Sequence, residues 1–343
     1  MVNKKQRIRF IVNPNSGVKR KRIIPDLIQK HLDHRQFDYE IAFTKAAGHA
    51  TELAQEAVES GQFDIIAAVG GDGSINEVAK GIIGTDKAFA ILPHGSGNGF
   101  ATYLGISRNI EKAIQVINTG RVSKVDTCTL NDETFLNLAG FGFDGLVAYH
   151  LDKAPRRGFM AYFLIGIQQA FLAKSHRFTI QIDNKEPFIR DAFLVEVGNG
   201  AMFGYGFTIL PSSNVSDGLM DLLLVKKTNK LRYLPLIPKL LLNNFDRGSK
   251  FVETHQGTTI QVNVDAPIHM HYDGEGFLQK QNSVTFKIIP KSLNIILPKE
   301  TIVTSVPFLF TSATPIGRTY SPSGTSPLSP YICSDSIKIT GSS

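Results

Sequence analysis

The stretch IIAAVGGDGSINE, residues 65–77, decides how this chain reads. Its first five residues are apolar and of strand length. Gly70-Gly71-Asp72-Gly73 then form a turn, and Ser74 is expected to open a helix, with Glu77 completing the S-x-x-E spacing of a capping box. Glycine lets a backbone turn tightly and approach a ligand, and a helix N-terminus presents unpaired N–H groups to an anion. The layout therefore aims backbone donors and one carboxylate at a bound polyphosphate. An ordinary glycine-rich strand–helix turn has the same composition, so the surroundings must decide.

Outward from this stretch, the first third of the chain alternates strand and helix patterns. Apolar strand candidates fall at residues 7–12, 38–43, 64–69 and 88–92, with helical spacing at 23–34, 50–60 and 110–119. Continuous apolar strands separated by helices predict a parallel sheet covered on both faces. From about Asp126 the pattern changes to strand candidates at 135–140, 178–182, 192–198, 220–225, 259–264 and 283–289, which predicts a second, mostly antiparallel domain. Two helix candidates interrupt it. One is the strongly apolar Phe159–Leu172, read either as the lining of a hydrophobic cleft, as a homodimer contact, or as a helix buried in the second core. The other, 231–245, is broken by Pro235 and Pro238. Residues 301–343, rich in Ser, Thr, Pro and Gly, read as a tail. The expected division is 1–125, 126–289 and 301–343.

Composition narrows the function classes. The 343 residues are 42% hydrophobic, enough for two cores. Cys128 and Cys333 stand far apart and form no metal-binding or disulfide framework, which fits a reducing, cytoplasmic setting. Val2 to Arg9 is basic but leads into a strand-length apolar run, not a signal peptide, and no stretch reaches the length of a membrane span. A formal charge of +7 suits an anionic partner, either nucleotide or an acidic membrane surface. The basic clusters lack the interleaved aromatics of a nucleic-acid platform, so no nucleic-acid partner is expected.

Four segments converge on one chemistry. Asn13-Pro14-Asn15-Ser16-Gly17 follows the first strand, Gly70–Gly73 the third, and Pro93-His94-Gly95-Ser96-Gly97-Asn98-Gly99 the fourth. Three polar loops at the carboxyl ends of parallel strands would meet at the crevice where open sheets bind ligands. Neither a dinucleotide fingerprint nor a Walker loop is present, so phosphate must be held by backbone N–H groups, hydroxyls and Asn. Asp72 would repel bare phosphate, and its place there makes sense with Mg²⁺ between them. The fourth segment comes from the strand-rich half: Asn214, Asp217-Gly218-Leu219, and Asp273-Gly274-Glu275. Each Asp-Gly pair is equally a common hairpin turn.

Taken together, NPNSG at 13–17, GGDGSINEV at 70–78, PHGSGNGFA at 93–101, GFGFDG at 140–145, SDGLMD at 216–221 and DGE at 273–275 resemble the diacylglycerol kinase catalytic family, which includes sphingosine and ceramide kinases and bacterial lipid kinases. The resemblance spans most of residues 7–298 in family order. It implies an α/β domain like that of NAD kinases and phosphofructokinases, a β-sandwich second domain, and a last strand around 290–300 returning to the first. It also implies that ATP contacts Asn13, Pro14, Asn15, Ser16, Gly17, Thr44, Gly70, Gly71, Asp72, Gly73, Ser74, Asn76 and Ser96. Asn214, Asp217 and Leu219 match a structural Mg²⁺ site. Asp126, Asp144 and Asp217 resemble a charged network linking that site to the active centre, and Glu275 matches the proposed catalytic base. Ser96 keeps the hydroxyl of the usual GT-x-ND motif, whereas Gly99 stands where many bacterial members have Asp.

The expectation is a kinase of lipid metabolism that moves the γ-phosphoryl of ATP, with Mg²⁺, to a lipid hydroxyl during transient membrane contact. Asp72, Asp217 and Glu275 are its expected catalytic carboxylates, and Asp72 is also a metal ligand. The basic residues Lys153, Arg156 and Arg157 precede the apolar 159–172 helix, an arrangement suited to acidic headgroups. Two rivals are a kinase for a soluble hydroxyl such as that of NAD, and a nucleotide-sensing regulatory protein without turnover.

Overall fold

The computed structural model describes residues 4–16, 23–154, 158–233, 245 and 249–299. The first half is β1 (Gln6–Val12), α1 (Ile23–His31), β2 (Phe37–Phe43), α2 (His49–Glu59), β3 (Ile65–Gly70), α3 (Asp72–Lys80), β4 (Ala88–Pro93), α4 (Gly99–Tyr103) and α5 (Ile110–Thr119). The strands pair in parallel in the order β2–β1–β3–β4. Every residue of β3 and β4 is buried, as a sheet covered on both faces requires. The helices that cover it bury one stripe each. In α5 the stripe is Ile110, Ala113, Ile114 and Ile117, and the Asn109 side chain accepts from Lys112 N at its start.

The second half is β5 (Arg121–Leu130), β6 (Glu133–Phe135), β7 (Leu138–Gly142), α6 (Phe143–Asp152), α7 (Phe159–Leu172), β8 (His176–Ile182), β9 (Phe188–Gly198), β10 (Met220–Lys226), β11 (Val252–Gly257), β12 (Thr259–Val264), β13 (Ile268–Tyr272), β14 (Glu275–Gln279) and β15 (Ser283–Leu297). Apart from one end of β15, its pairings are antiparallel, along β14–β13–β7–β9–β8–β12–β15, with β10 on β9 and β11 on β10. Alternate residues of β8, β9, β12 and β15 bury Phe178, Ile180, Val195, Val197, Ile260, Val262, Val284 and Phe286 in a sandwich core. Helix α6, which no periodicity marked, packs on β13, β14 and α7 of the second half.

β15 joins the two. Its first part pairs with β12, and Asn294 and Ile295 lie parallel to Ala88 and Phe89 of β4. β5 runs antiparallel to it along nearly its whole length. Both halves belong to one contiguous unit.

Three expectations change. Helix α3 opens at Asp72, not Ser74, with Gly71 at the N-cap and no side-chain cap. Ser74 Oγ accepts from Asn13 Nδ2 at 2.9 Å, and Glu77 accepts from Ala50 N at 3.3 Å, so no capping box forms. The expected 135–140 strand is instead two, β6 and β7. Helix α7 is not buried in the second core: Phe159, Met160, Phe163, Leu164, Ile167, Phe171 and Leu172 are all exposed, and Gln169 is its buried residue. Gly17, Arg156, Arg157, Cys333, most of the 231–245 helix candidate and the 301–343 tail lie outside the described residues. Among the described residues no helix is long and apolar enough to cross a membrane.

Candidate active site

The floor of the site is built where β1, β3 and β4 end. Asn13 N donates to Val69 O at 3.1 Å, and its side chain spans from Ser74 Oγ to Asn15 N, fixing the first loop to α3. Thr44 N donates to Val12 O beside it. The second and third loops touch through glycines. A Cβ on Gly95 would lie 2.4 Å from Gly71 Cα, so any side chain there would drive the loops apart. Asn98, in the left-handed region at φ 55°, closes the third loop on Gly95 N and O. Gly71, Asp72, Gly73 and Ser74 line the crevice and no side chain caps the start of α3, so its first turn offers a site for phosphate oxygens.

Asp72 bridges the two loops. Its Oδ2 accepts from Asn98 N at 2.7 Å, while Oδ1 is buried and meets no hydrogen-bond partner among the described residues. Burial and the nearby Asp273 charge push its pKa to about 6, against the backbone N–H groups of Asn98, Phe100 and Gly99. An orphaned carboxylate oxygen beside an anion cradle fits a hard divalent cation.

The wall comes from the hairpin of β13 and β14. Asp273 and Gly274 have φ of 46° and 88°, both positive, as a two-residue hairpin turn requires. The turn reading of Asp-Gly is thus realised, and the side chain does more. Asp273 Oδ1 accepts from Asn137 N at 2.9 Å and Leu138 N at 3.3 Å. Its Oδ2 accepts from Leu136 N at 2.8 Å and from Asn76 Nδ2. It therefore clamps the hairpin to both the sandwich and α3. Burial raises its pKa while these donors pull it down.

That clamp delivers Glu275 to the GGDG loop. A Cβ on Gly73 would lie 3.0 Å from Glu275 Oε1. Desolvation at the cleft wall raises the Glu275 pKa against the Lys80 charge, the direction that suits a proton acceptor.

The intervening cleft is about 1150 Å³. Of the expected site residues, Asn13, Asn15, Ser16, Thr44, Gly71, Asp72, Gly73, Ser74, Ser96 and Glu275 line it. Pro14 and Gly70 do not, and Asn76 serves Asp273 instead. Asn214, Asp217 and Leu219 also lie outside its lining, on the turn before β10. There Asn214 Oδ1 accepts from Ser216 and Asp217 Oδ1 from Leu219 N, while Asp126 Oδ2 accepts from Gly218 N at 2.8 Å. Burial and Asp126 raise the Asp217 pKa, a state that a cation among these oxygens would relieve. Asp144 does not join that network by any hydrogen bond. It pairs with His271, whose Nε2 is 2.7 Å from Asp144 Oδ2, and Glu196 lies beside both.

Sequence reasoning overlooked Glu196, His271, Lys80, Tyr272 and Asp152. Lys80 stands over the Tyr272 ring and pairs with Glu133, and Asp152 accepts from Gly276 N at 2.9 Å. The HMHY run at 269–272, next to DGE, was the one local signal for His271.

Residues 7–130 match the diacylglycerol kinase catalytic domain, and 137–297 match the YegS C-terminal NAD kinase beta sandwich-like domain. The chain is 30% identical over 313 residues to the diacylglycerol kinase of Bacillus subtilis, covering 86% of this chain and 97% of that one. It is 30% identical over 277 residues to the diacylglycerol kinase of Staphylococcus saprophyticus, covering 79% and 89%. A crystal structure of a diacylglycerol kinase from Bacillus anthracis covers 86% of this chain and 98% of that chain, with a TM-score of 0.66 at 23% identity, a likeness of fold. The fold is a two-domain one, an α/β half followed by an NAD kinase beta sandwich-like half. The chain belongs to the diacylglycerol kinase and YegS-like lipid kinase family.

Proposed function

We propose that this chain transfers the γ-phosphoryl group of ATP, in the presence of Mg²⁺, to a hydroxyl of a lipid. The observation that carries this reading is the meeting of two halves of a phosphoryl-transfer site. Glu275 from the sandwich stands against Gly73 of the anion-binding loop, across one cleft. Phosphoryl transfer depends on positioning and on neutralising charge.

In this reading the N–H groups at the start of α3 and the Ser96 hydroxyl hold phosphate oxygens, and Asn13 and Thr44 set the edge of the nucleotide site. Asp72 Oδ1 would hold Mg²⁺, and Asn214, Asp217 and Leu219 a second, structural ion. Mg²⁺ bound with the nucleotide neutralises the phosphate oxygens. Glu275 takes the proton of the acceptor hydroxyl as its oxygen attacks. Its raised pKa strengthens it as a base.

The exposed apolar face of α7 supports a lipid acceptor. Seven large apolar residues lie open there, Tyr162 of the same helix lines the cleft, and Lys153 precedes it. A patch of that kind suits shallow insertion at an anionic lipid surface, with the acceptor passing into the cleft beside it. The test is a panel of diacylglycerol, sphingoid base, ceramide and NAD with radiolabelled ATP, with and without Mg²⁺. Label in a lipid product, lost in Glu275→Gln, is the expected result. Label in NAD alone would favour the soluble-acceptor kinase, and no transfer to any acceptor the nucleotide sensor.

A further inference from the structure

Three buried ionisable side chains, two of them lining the cleft, have no part in the proposed transfer. Asp144 in the first turn of α6, Glu196 in β9 and His271 in β13 are 7%, 0% and 3% exposed. One ligand-capable atom of each lies within 4.8 Å of the other two. His271 Nε2 is 2.7 Å from Asp144 Oδ2 and 3.3 Å from Glu196 Oε1.

This pairing leaves the cluster far from satisfied. Both Glu196 carboxylate oxygens, Asp144 Oδ1 and His271 Nδ1 lack a hydrogen-bond partner among the described residues. Polar atoms enclosed without partners are costly, and a buried charge more so. Burial and the adjacent Asp144 charge raise the Glu196 pKa well above the usual carboxylate range, a repulsion that a divalent cation between the two carboxylates would relieve. Strand β7 gives the cluster room only because Gly140 is there. A Cβ at that position would meet Glu196 Oε2 at 2.1 Å and Asp144 Oδ2 at 2.5 Å.

We propose that Asp144, Glu196 and His271 form a binding site for a divalent transition-metal ion, separate from the Mg²⁺ of phosphoryl transfer. One imidazole with two carboxylates is a mixed nitrogen and oxygen set that suits zinc and its first-row neighbours, while Mg²⁺ prefers oxygen throughout. Asp144 and His271 also line the cleft, so an ion has a way in. Binding replaces the protons held on His271 and Glu196 and releases them to solvent. The ion would tie α6, β9 and β13 together two residues before Asp273, stiffening the strand that carries the DGE hairpin.

Zinc alone serves as the probe. Full-length protein stripped with a chelator and dialysed is titrated with Zn²⁺ against a chromogenic competitor. One equivalent per chain is expected. Glu196→Gln and His271→Asn should each weaken it more than about 100-fold, beyond the usual effect of an outer-shell partner. Asp217→Asn should leave it unchanged. Co²⁺ added to the stripped wild-type chain should give visible d–d absorption that zinc abolishes, a readout independent of whether the variants fold. No zinc uptake by the wild type overturns the site. So does uptake retained in both variants, or lost only in Asp217→Asn.

Discussion

Replacing Asp273 by Asn tests whether one carboxylate joins the two halves of the site. Asp273 accepts four N–H groups, two on each oxygen, from Asn76, Leu136, Asn137 and Leu138. Asn keeps one oxygen, so two donors are left facing an amide NH₂. Hydrogen bonds to a charged acceptor contribute about 1.5–3 kcal/mol each, so two cost about 3–6 kcal/mol. Removing a desolvated charge offsets part of this, leaving a loss of about 3 kcal/mol. At about 2–4 °C per kcal/mol for a unit of this size, the melting temperature should fall by about 6–12 °C. Asn76 sits on α3, so nucleotide binding should weaken as well. Calorimetric melting and an ATP titration on the same preparation read both effects. A melting temperature within about 2 °C of wild type, the span of less than one kcal/mol, would refute the clamp.

Glu275→Gln should lower turnover by about two to four powers of ten with ATP affinity kept. Because only the ionised Glu275 accepts a proton and its pKa is raised, wild-type rate should fall as pH drops toward that pKa, and Gln should remove this limb. Asp72→Asn should fold normally yet lose most Mg²⁺-dependent transfer in a steady-state assay, and near-wild-type turnover would take Asp72 out of the metal site. Glu253 is held by Arg190 Nε and Nη2, at 3.0 and 2.9 Å, and by His255, which lower its pKa to about 2. Its stabilisation is present above the unfolded-state pKa and lost as pH falls toward 2. Glu253→Gln, discounted for solvent screening, should cost about 1 kcal/mol at neutral pH, a gap that melts at acid pH should close. Leu164→Glu with Phe171→Glu on the exposed face of α7 should abolish sedimentation with anionic vesicles and leave ATP binding intact; sedimentation equal to wild type would reject α7 as the lipid-facing surface.

Local pattern determined a good part of this protein. The apolar runs ending at Val12, Val69 and Leu92 specify strands because a parallel sheet covered on both faces buries β3 and β4 throughout and the Phe10–Val12 end of β1. The loops after them were legible as glycine-bearing turns, since backbone approach as close as that of Gly71 to Gly95 excludes other residues. Helix α7 was legible in extent but not in exposure, because an apolar composition does not say what covers it. The start of α3 was misplaced by two residues. Ser74 and Glu77 have cap-like spacing, yet their side chains are taken by Asn13 and Ala50, which no nearby sequence announces. The same limit applies to the chemistry. Asp273 meets Asn76 across 197 residues, and Glu196 joins His271 and Asp144 from another strand and a helix. Periodicity and short motifs report what neighbours along the chain prefer, whereas burial, charge pairing and orphaned oxygens arise only when distant strands pack. Tertiary structure alone therefore decided that Glu275 stands at the GGDG loop, and that a second cluster of ionisable groups lies enclosed in the wall beside it.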